Sequence, residues 1–207
     1  TPSFAEPHPQ MPLSQSPHTM PIDPICLAAL RCFAVSGFHG TSIRQIAAEA
    51  GLSVPGLYHH YPSKGAILVA LCEAAMHELL TASRAAIAAG STTLERFERL
   101  VACLVRFHAE YGEIAFVTYS EIRSLPDDAR ERHLQARRDE QALVTELVEQ
   151  GVAEGIFVAP HPREAARAVS TLCLGVSQWY RADGSMSVPE LVDVYLEICK
   201  DTVRFVR

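Results

Sequence analysis

Apolar residues along this chain recur at spacings of three and four, the signature of helices buried on one face. The pattern is sharpest between Thr41 and Lys64, in two short runs parted by Gly51. In the first run Ile43, Ile46, Ala47 and Ala50 share a face, and Ser42 with Gln45 forms the S-x-x-Q pattern that satisfies free amides at a helix start. Gly51 supplies a left-handed stop. Ser53 can cap the second run, and Pro55 is tolerated in its first turn, where amides lack helical partners. Leu52 and Leu57 would pack back on the first helix, which leaves Val54, Pro55, Gly56, Tyr58, His59 and His60 facing outwards. Two short helices joined by a tight turn make a helix-turn-helix, whose second helix can enter a DNA major groove.

The same periodicity organises the rest. A helix from Pro24 to Ser36 would bury Ile25, Ala28, Ala29, Cys32 and Phe33; Gly37 ends it, and Phe38 plugs a small core beside Phe33, Ile46 and Leu57. Pro62-Ser63-Lys64 opens a long helix to about Ala89. Further helices are expected over 93–111, Ile114–Leu125, about 128–154, Pro162–Arg181 and Val188–Val206. The helix over 128–154 is heavily charged at first and apolar later. No strand pattern rises above the helical one. The expected architecture is all-α: a flexible, proline-rich tail over 1–21, a three-helix DNA-binding domain over 22–65, and a helical bundle for ligand binding and dimerisation over 66–207.

Composition changes this picture little. An apolar share of 48% with 20% charged residues is ordinary for a globular chain. No run reaches the roughly 18 uninterrupted apolar residues of a membrane span, and no secretory signal is visible. Six cysteines without a C-x-x-C pattern read as reduced thiols in a cytoplasmic protein, with neither a metal site nor a cofactor implied. The net charge of −6 argues against a nucleic-acid partner until its distribution is considered. Residues 24–65 hold Arg31, Arg44 and Lys64 against Glu49 alone, a mildly basic head on an acidic body.

The head resembles the DNA-binding domain of the TetR family of bacterial transcriptional repressors. The matching residues run without a gap: Gly37-Phe38-x-Gly40-Thr41-Ser42-Ile43-Arg44-x-Ile46-Ala47, Glu49-Ala50-Gly51, and Gly56-Leu57-Tyr58-x-His60-Tyr61-x-Ser63-Lys64. Gly65 departs from the acidic or helix-favouring residue more usual in the family. The resemblance implies a homodimer through the last two helices on a palindromic double-stranded operator, with recognition helices about 34–36 Å apart. Arg44, Tyr58, Tyr61 and Lys64 are then expected at phosphates, and Val54, Pro55, Gly56 and His59 at base edges. His60 is divided between DNA contact and packing within the head.

The body carries polar and aromatic groups among its apolar residues, including His108, Tyr111, Phe116 and Tyr119, which would suit a cavity for a small apolar effector. Packing alone competes with each of these roles. The C-terminal half also resembles the acyl-CoA-responsive branch of the family, on Glu121-x-Arg123-Ser124-Leu125, Gly151-x-x-x-Gly155 and Trp179-Tyr180-Arg181-x-Asp183-Gly184. That resemblance implies Arg123 and Arg181 at phosphates or the thioester carbonyl, and Trp179 and Tyr180 stacked on adenine or flanking the acyl chain. The alternative is a multidrug-type repressor sensing apolar cations, with Glu110, Glu113 or Glu121 as the buried carboxylate. No nucleophile elbow, phosphate loop or catalytic triad pattern is present, so the chain does not read as an enzyme.

Overall fold

The structure, a computed structural model, describes residues 20–206, which form nine α-helices. Three make the head: α1 (Pro24–Gly40), α2 (Ile43–Glu49) and α3 (Val54–His60). Six make the body: α4 (Lys64–Ala88), α5 (Thr93–Glu110), α6 (Gly112–Ser120), α7 (Asp127–Ala153), α8 (Pro162–Trp179) and α9 (Val188–Thr202). In the body α5 is central, packing against α4, α6, α7, α8 and α9. The head rests on the body through α1, which touches both α4 and α6.

Local chemistry accounts for the head's joints. Asp23 caps α1 by accepting from the amides of Ile25 and Cys26. Inside α1, Gly37 takes φ 68°, a left-handed value that breaks the helix and that a side chain would resist. Thr41 Oγ1 donates to the carbonyls of Gly37 and Cys32, so the chain leaving this kink is tied down. The reciprocal cap of Ser42 and Gln45 is formed at α2, and Ser53 caps α3 by accepting from the Gly56 amide. Leu57 and Ile46 are fully buried, and the Phe33 and Phe38 rings lie 5.4 Å apart. Truncating a leucine in so small a core costs about 2–5 kcal/mol.

The expected proline-rich tail lies mostly outside the described residues, but its last part is docked. Met20 is buried, and its amide donates to Tyr111 Oη at 3.1 Å.

Three helix ends differ from expectation. The single helix expected over Ile114–Leu125 is α6 followed by a 3₁₀ turn at Ile122–Ser124, because Glu121 leaves helical geometry to bond the head. The α8 helix stops at Trp179, and Tyr180 turns away so that its hydroxyl donates to the Met186 carbonyl. The last helix stops at Thr202. Arg204, at φ 52°, turns the chain back so that Phe205 bridges Phe157 in antiparallel fashion.

By length and composition α4 passes as a membrane-crossing helix, alone among the helices of the described residues. Its packing explains the composition: Ile67, Leu68, Leu71, Cys72, Ala75 and Leu79 are buried in the core, while Glu73, His77 and Arg84 face out.

Candidate functional site

The geometry of the head divides the predicted DNA-facing residues into two groups. In α3 the buried Leu57 anchors the helix, and Tyr58, His59 and His60 stand on the opposite, exposed side. Tyr58 keeps 49% of its surface, so nothing in the described chain covers it. Pro55 is exposed, Gly56 and Val54 are half-buried at the start of the same helix, and Arg44 is exposed on α2. These seven residues form one face, as the helix-turn-helix requires.

Tyr61 and Lys64 belong to the second group. Tyr61 folds against α1, with its hydroxyl 3.2 Å from Cys26 Sγ; burial raises its pKa. Its oxygen points into the head rather than out to a phosphate. Lys64 donates to the carbonyls of Phe38 and Thr41, and its ammonium sits 4.4 Å from the centre of the Phe38 ring. Both carbonyls lie at the broken end of α1, where a helix terminus presents negative partial charge. Lys64 is therefore a brace between α1 and α4, with the third donor of its ammonium not needed by either carbonyl. Arg31, the other basic residue of the head, pairs with Glu49 at 3.1 Å. The mildly basic charge balance of the head thus rests on fewer free cations than the sequence suggests.

The body contains a cavity of about 430 Å³ bounded by α4, α5, α6, α7 and α8. Its apolar wall includes Leu79, Leu104, Phe107, Ala115 and Leu174, and its polar wall includes His108, His133, Arg137, Glu140, Gln141 and Ser170. A smaller space of about 320 Å³ adjoins it between α4 and α7, and Met76 and His133 line both. Two of the residues expected from the sequence line the main cavity, His108 and Tyr119. His108 is buried, hydrogen-bonded through Nδ1 to the Leu104 carbonyl at 2.7 Å, and burial lowers its pKa to about 4, so it is neutral. Tyr119 lies under the Arg137 guanidinium at 4.9 Å.

The other expected ligand residues do not line it, each for a visible reason. Tyr111 accepts from Met20 and packs on Phe107. Phe116 lies on the outer side of α6 and is 47% exposed. Arg123 is exposed on the 3₁₀ turn below the head. Trp179 stacks on Tyr195 at the outer end of α8, Tyr180 is buried beneath Met186, and Arg181 bonds its neighbour's carbonyl. The Gly151-x-x-x-Gly155 segment also proves structural. A Cβ at Gly151 would lie 2.1 Å from the Phe157 ring, and Gly155 ends α7. Glu110 pairs with Arg106, Glu113 is exposed and Glu121 bonds the head, so none of the three carboxylates lines the cavity.

The residues that do line it and were missed are mainly on α7. His133, Arg137 and Glu140 look like part of a solvated charged run, but they continue the buried stripe of Val144, Leu147 and Gly151 towards the helix start. Polar residues in register with an apolar stripe were the available signal. Burial lowers the His133 pKa to about 4 and raises that of Glu140 to about 7.

A head with one exposed reading helix, braced on a hollow helical body, defines a one-component regulator class. Residues 25–71 match the family described as bacterial regulatory proteins, tetR family, and residues 90–203 match the tetracyclin repressor-like C-terminal domain. The chain belongs to the tetR family of bacterial regulatory proteins and is a DNA-binding transcriptional repressor of that family. Over most of its length it is similar to the HTH-type transcriptional repressor KstR2 of Rhodococcus jostii strain RHA1: 28% identical over 176 residues, 84% of this chain and 86% of that protein. A tetR-family regulatory protein from Rhodococcus RHA1 has the same fold, with a TM-score of 0.83 at 28% identity over 89% of this chain and 97% of that one. The fold is shared too by AibR, solved with isovaleryl coenzyme A and operator DNA, at a TM-score of 0.77 and 19% identity over 84% and 95% of the two chains.

Proposed function

We propose that this repressor is a cytoplasmic homodimer that grips a palindromic operator with two copies of α3 and is released by an acyl-coenzyme A thioester. The observation that carries the effector reading is the form of the cavity. Its apolar wall suits an acyl chain, while Arg137 and the exposed Arg138 and Arg167 lie on its polar side, where phosphates would find planar, two-pronged partners. Arg167 has no ion-pair partner among the described residues; Arg138 is held by Glu131 and Gln135. That AibR, of like fold, is solved with such a thioester and DNA supports the same reading.

The dimer reading rests on α8 and α9. Ala168, Leu172, Gly175 and Trp179 form a stripe of mostly small residues along α8 with open space above Gly175, and Val194 and Ile198 are exposed on α9. Two copies of these helices would bury the stripe as a two-fold four-helix contact. The multidrug-cation reading loses support, because a cation in the cavity would face Arg137.

A gel shift on the DNA flanking the protein's own gene, with and without acyl-coenzyme A thioesters, tests the proposal. Release by a thioester at low micromolar concentration is expected; a shift indifferent to every thioester, while apolar cations release it, would overturn the effector assignment.

A further inference from the structure

Five side-chain polar atoms among the described residues are shut off from solvent with no hydrogen-bond partner, and three of them sit on the wall of the one cavity: His133 Nδ1, Glu140 Oε1 and Ser170 Oγ. Native proteins leave few buried donors or acceptors unpaired, because each loses its water without replacement. Three on a single wall therefore point to something that belongs there.

Their placement is specific. His133 and Glu140 stand two turns apart on the same face of α7, roughly 10 Å along its axis, and Ser170 comes from α8, which packs against it. Arg137 lies between them on the same face and acts electrostatically on His133, Glu140 and His108 together. A cation entering this wall would meet Arg137, and an anion would meet Glu140. A neutral group that both donates and accepts meets neither objection.

We propose that this wall is a recognition site for a neutral oxygen, a hydroxyl or a carbonyl, carried on the buried apolar part of the effector and held by Glu140, His133 and Ser170. The proposal rests on the effector reading of the cavity and narrows it: the acyl group is oxygenated, not a plain hydrocarbon chain. A neutral His133 offers one donor and one acceptor, a hydroxyl side chain offers both, and Glu140 offers a lone pair or, when protonated, a hydrogen. Together they can serve either a hydroxyl or a ketone.

Calorimetric titration of the full chain tests this. A decanoyl group is compared with decanoyl groups bearing a terminal hydroxyl, a mid-chain hydroxyl or a mid-chain oxo function, each offered as the coenzyme A thioester and as the N-acetylcysteamine thioester. At least one oxygenated form should bind about tenfold tighter or better than plain decanoyl. Glu140→Leu should erase that preference, while Glu140→Gln, of equal size and still able to hydrogen-bond, should keep most of it. Plain decanoyl binding as tightly as every oxygenated form, or a preference that survives Glu140→Leu, would overturn the proposal. A preference that persists while coenzyme A adds no affinity over N-acetylcysteamine would remove the coenzyme A reading and leave this site standing. The opposite pattern would remove this site alone.

Discussion

The amide of Phe38 donates to Glu121 Oε1 at 3.1 Å, a bond that crosses from the head to the body. The same carboxylate accepts from Ser124 Oγ through its other oxygen, and Ser124 in turn meets His39 Nε2 at 3.2 Å. Phe38 also gives its carbonyl to Lys64 at the first turn of α4. One residue at the broken end of α1 is thus held by both elements of the body that touch the head, α4 and α6. Any shift of α6 caused by filling the cavity, which Ala115, Thr118 and Tyr119 line, reaches the head through this point.

Glu121→Ala should therefore weaken the coupling between effector and operator more than it weakens either binding event. Coupling factors in such proteins run about 5–150-fold. Operator affinity measured with and without effector should show the factor reduced several-fold. An unchanged factor would show that the signal passes through α4 alone.

Lys64→Ala removes the partner of two carbonyls and should lower stability by about 1.5–3 kcal/mol, the range for hydrogen bonds to a charged group. Thermal unfolding reads that loss. If the third donor of the ammonium also reaches a phosphate, the slope of log affinity against log salt flattens by about 0.9. A lower melting temperature with an unchanged slope would assign Lys64 to bracing only.

The buried groups of the cavity set a pH dependence of opposite signs. Burial lowers His108 and His133 from 6.5 to about 4, so between those values the unfolded chain takes up protons that the folded chain refuses. Stability rises with pH through that window, by about 1.4 kcal/mol per unit for each histidine. Burial raises Glu140 from 4.5 to about 7, so there the folded chain keeps a proton that the unfolded chain has lost, and stability falls as pH rises. Two histidines outweigh one carboxyl, and the net trend is a gain from about pH 4.5 to 6.5. Glu140→Gln removes only the opposing part. Relative to wild type it should be more stabilising near pH 7.5 than near pH 5, by denaturant titration at both. Equal differences at the two pH values would contradict the burial of this carboxyl.

Val194→Arg combined with Ile198→Arg places two charges on the open face of α9, where both residues are exposed in the single chain. The monomer should fold as before, while light scattering should report half the mass of the native particle and operator affinity should fall sharply. A dimer that survives both substitutions would place the interface elsewhere.

What was legible in the sequence followed from local chemistry. Ser42 with Gln45, Gly51, and Ser53 with Pro55 mark the ends of α2 and α3 by capping and by steric limits that need no knowledge of the rest of the chain. The exposed face of α3 followed from the burial of Leu57 alone. The cavity was legible only in part, because its walls come from five helices that meet late in the chain. His108 and Tyr119 were found as polar or aromatic residues on apolar faces. His133, Arg137 and Glu140 were hidden in a charged run whose other members, such as Arg130, Glu131 and Arg138, do pair on the surface. Trp179, Tyr180 and Arg181 drew attention by their chemistry, yet the end of α8 carries them to the outer edge of the bundle. Tyr61 and Lys64 show the reverse case: side chains with the reach for DNA spend it on α1.

The central claim is that α3 reads DNA, twice per particle. Selection of operator fragments from genomic DNA by the full chain, followed by footprinting of the selected site, tests it most directly. The account predicts a protected palindrome whose half-sites lie about one helical turn, 10–10.5 base pairs, apart or a multiple of it, with protection lost in a Tyr58→Ala, His59→Ala double variant that keeps the wild-type melting temperature. Protection of a single unrepeated site, or protection unchanged in that variant, would contradict it.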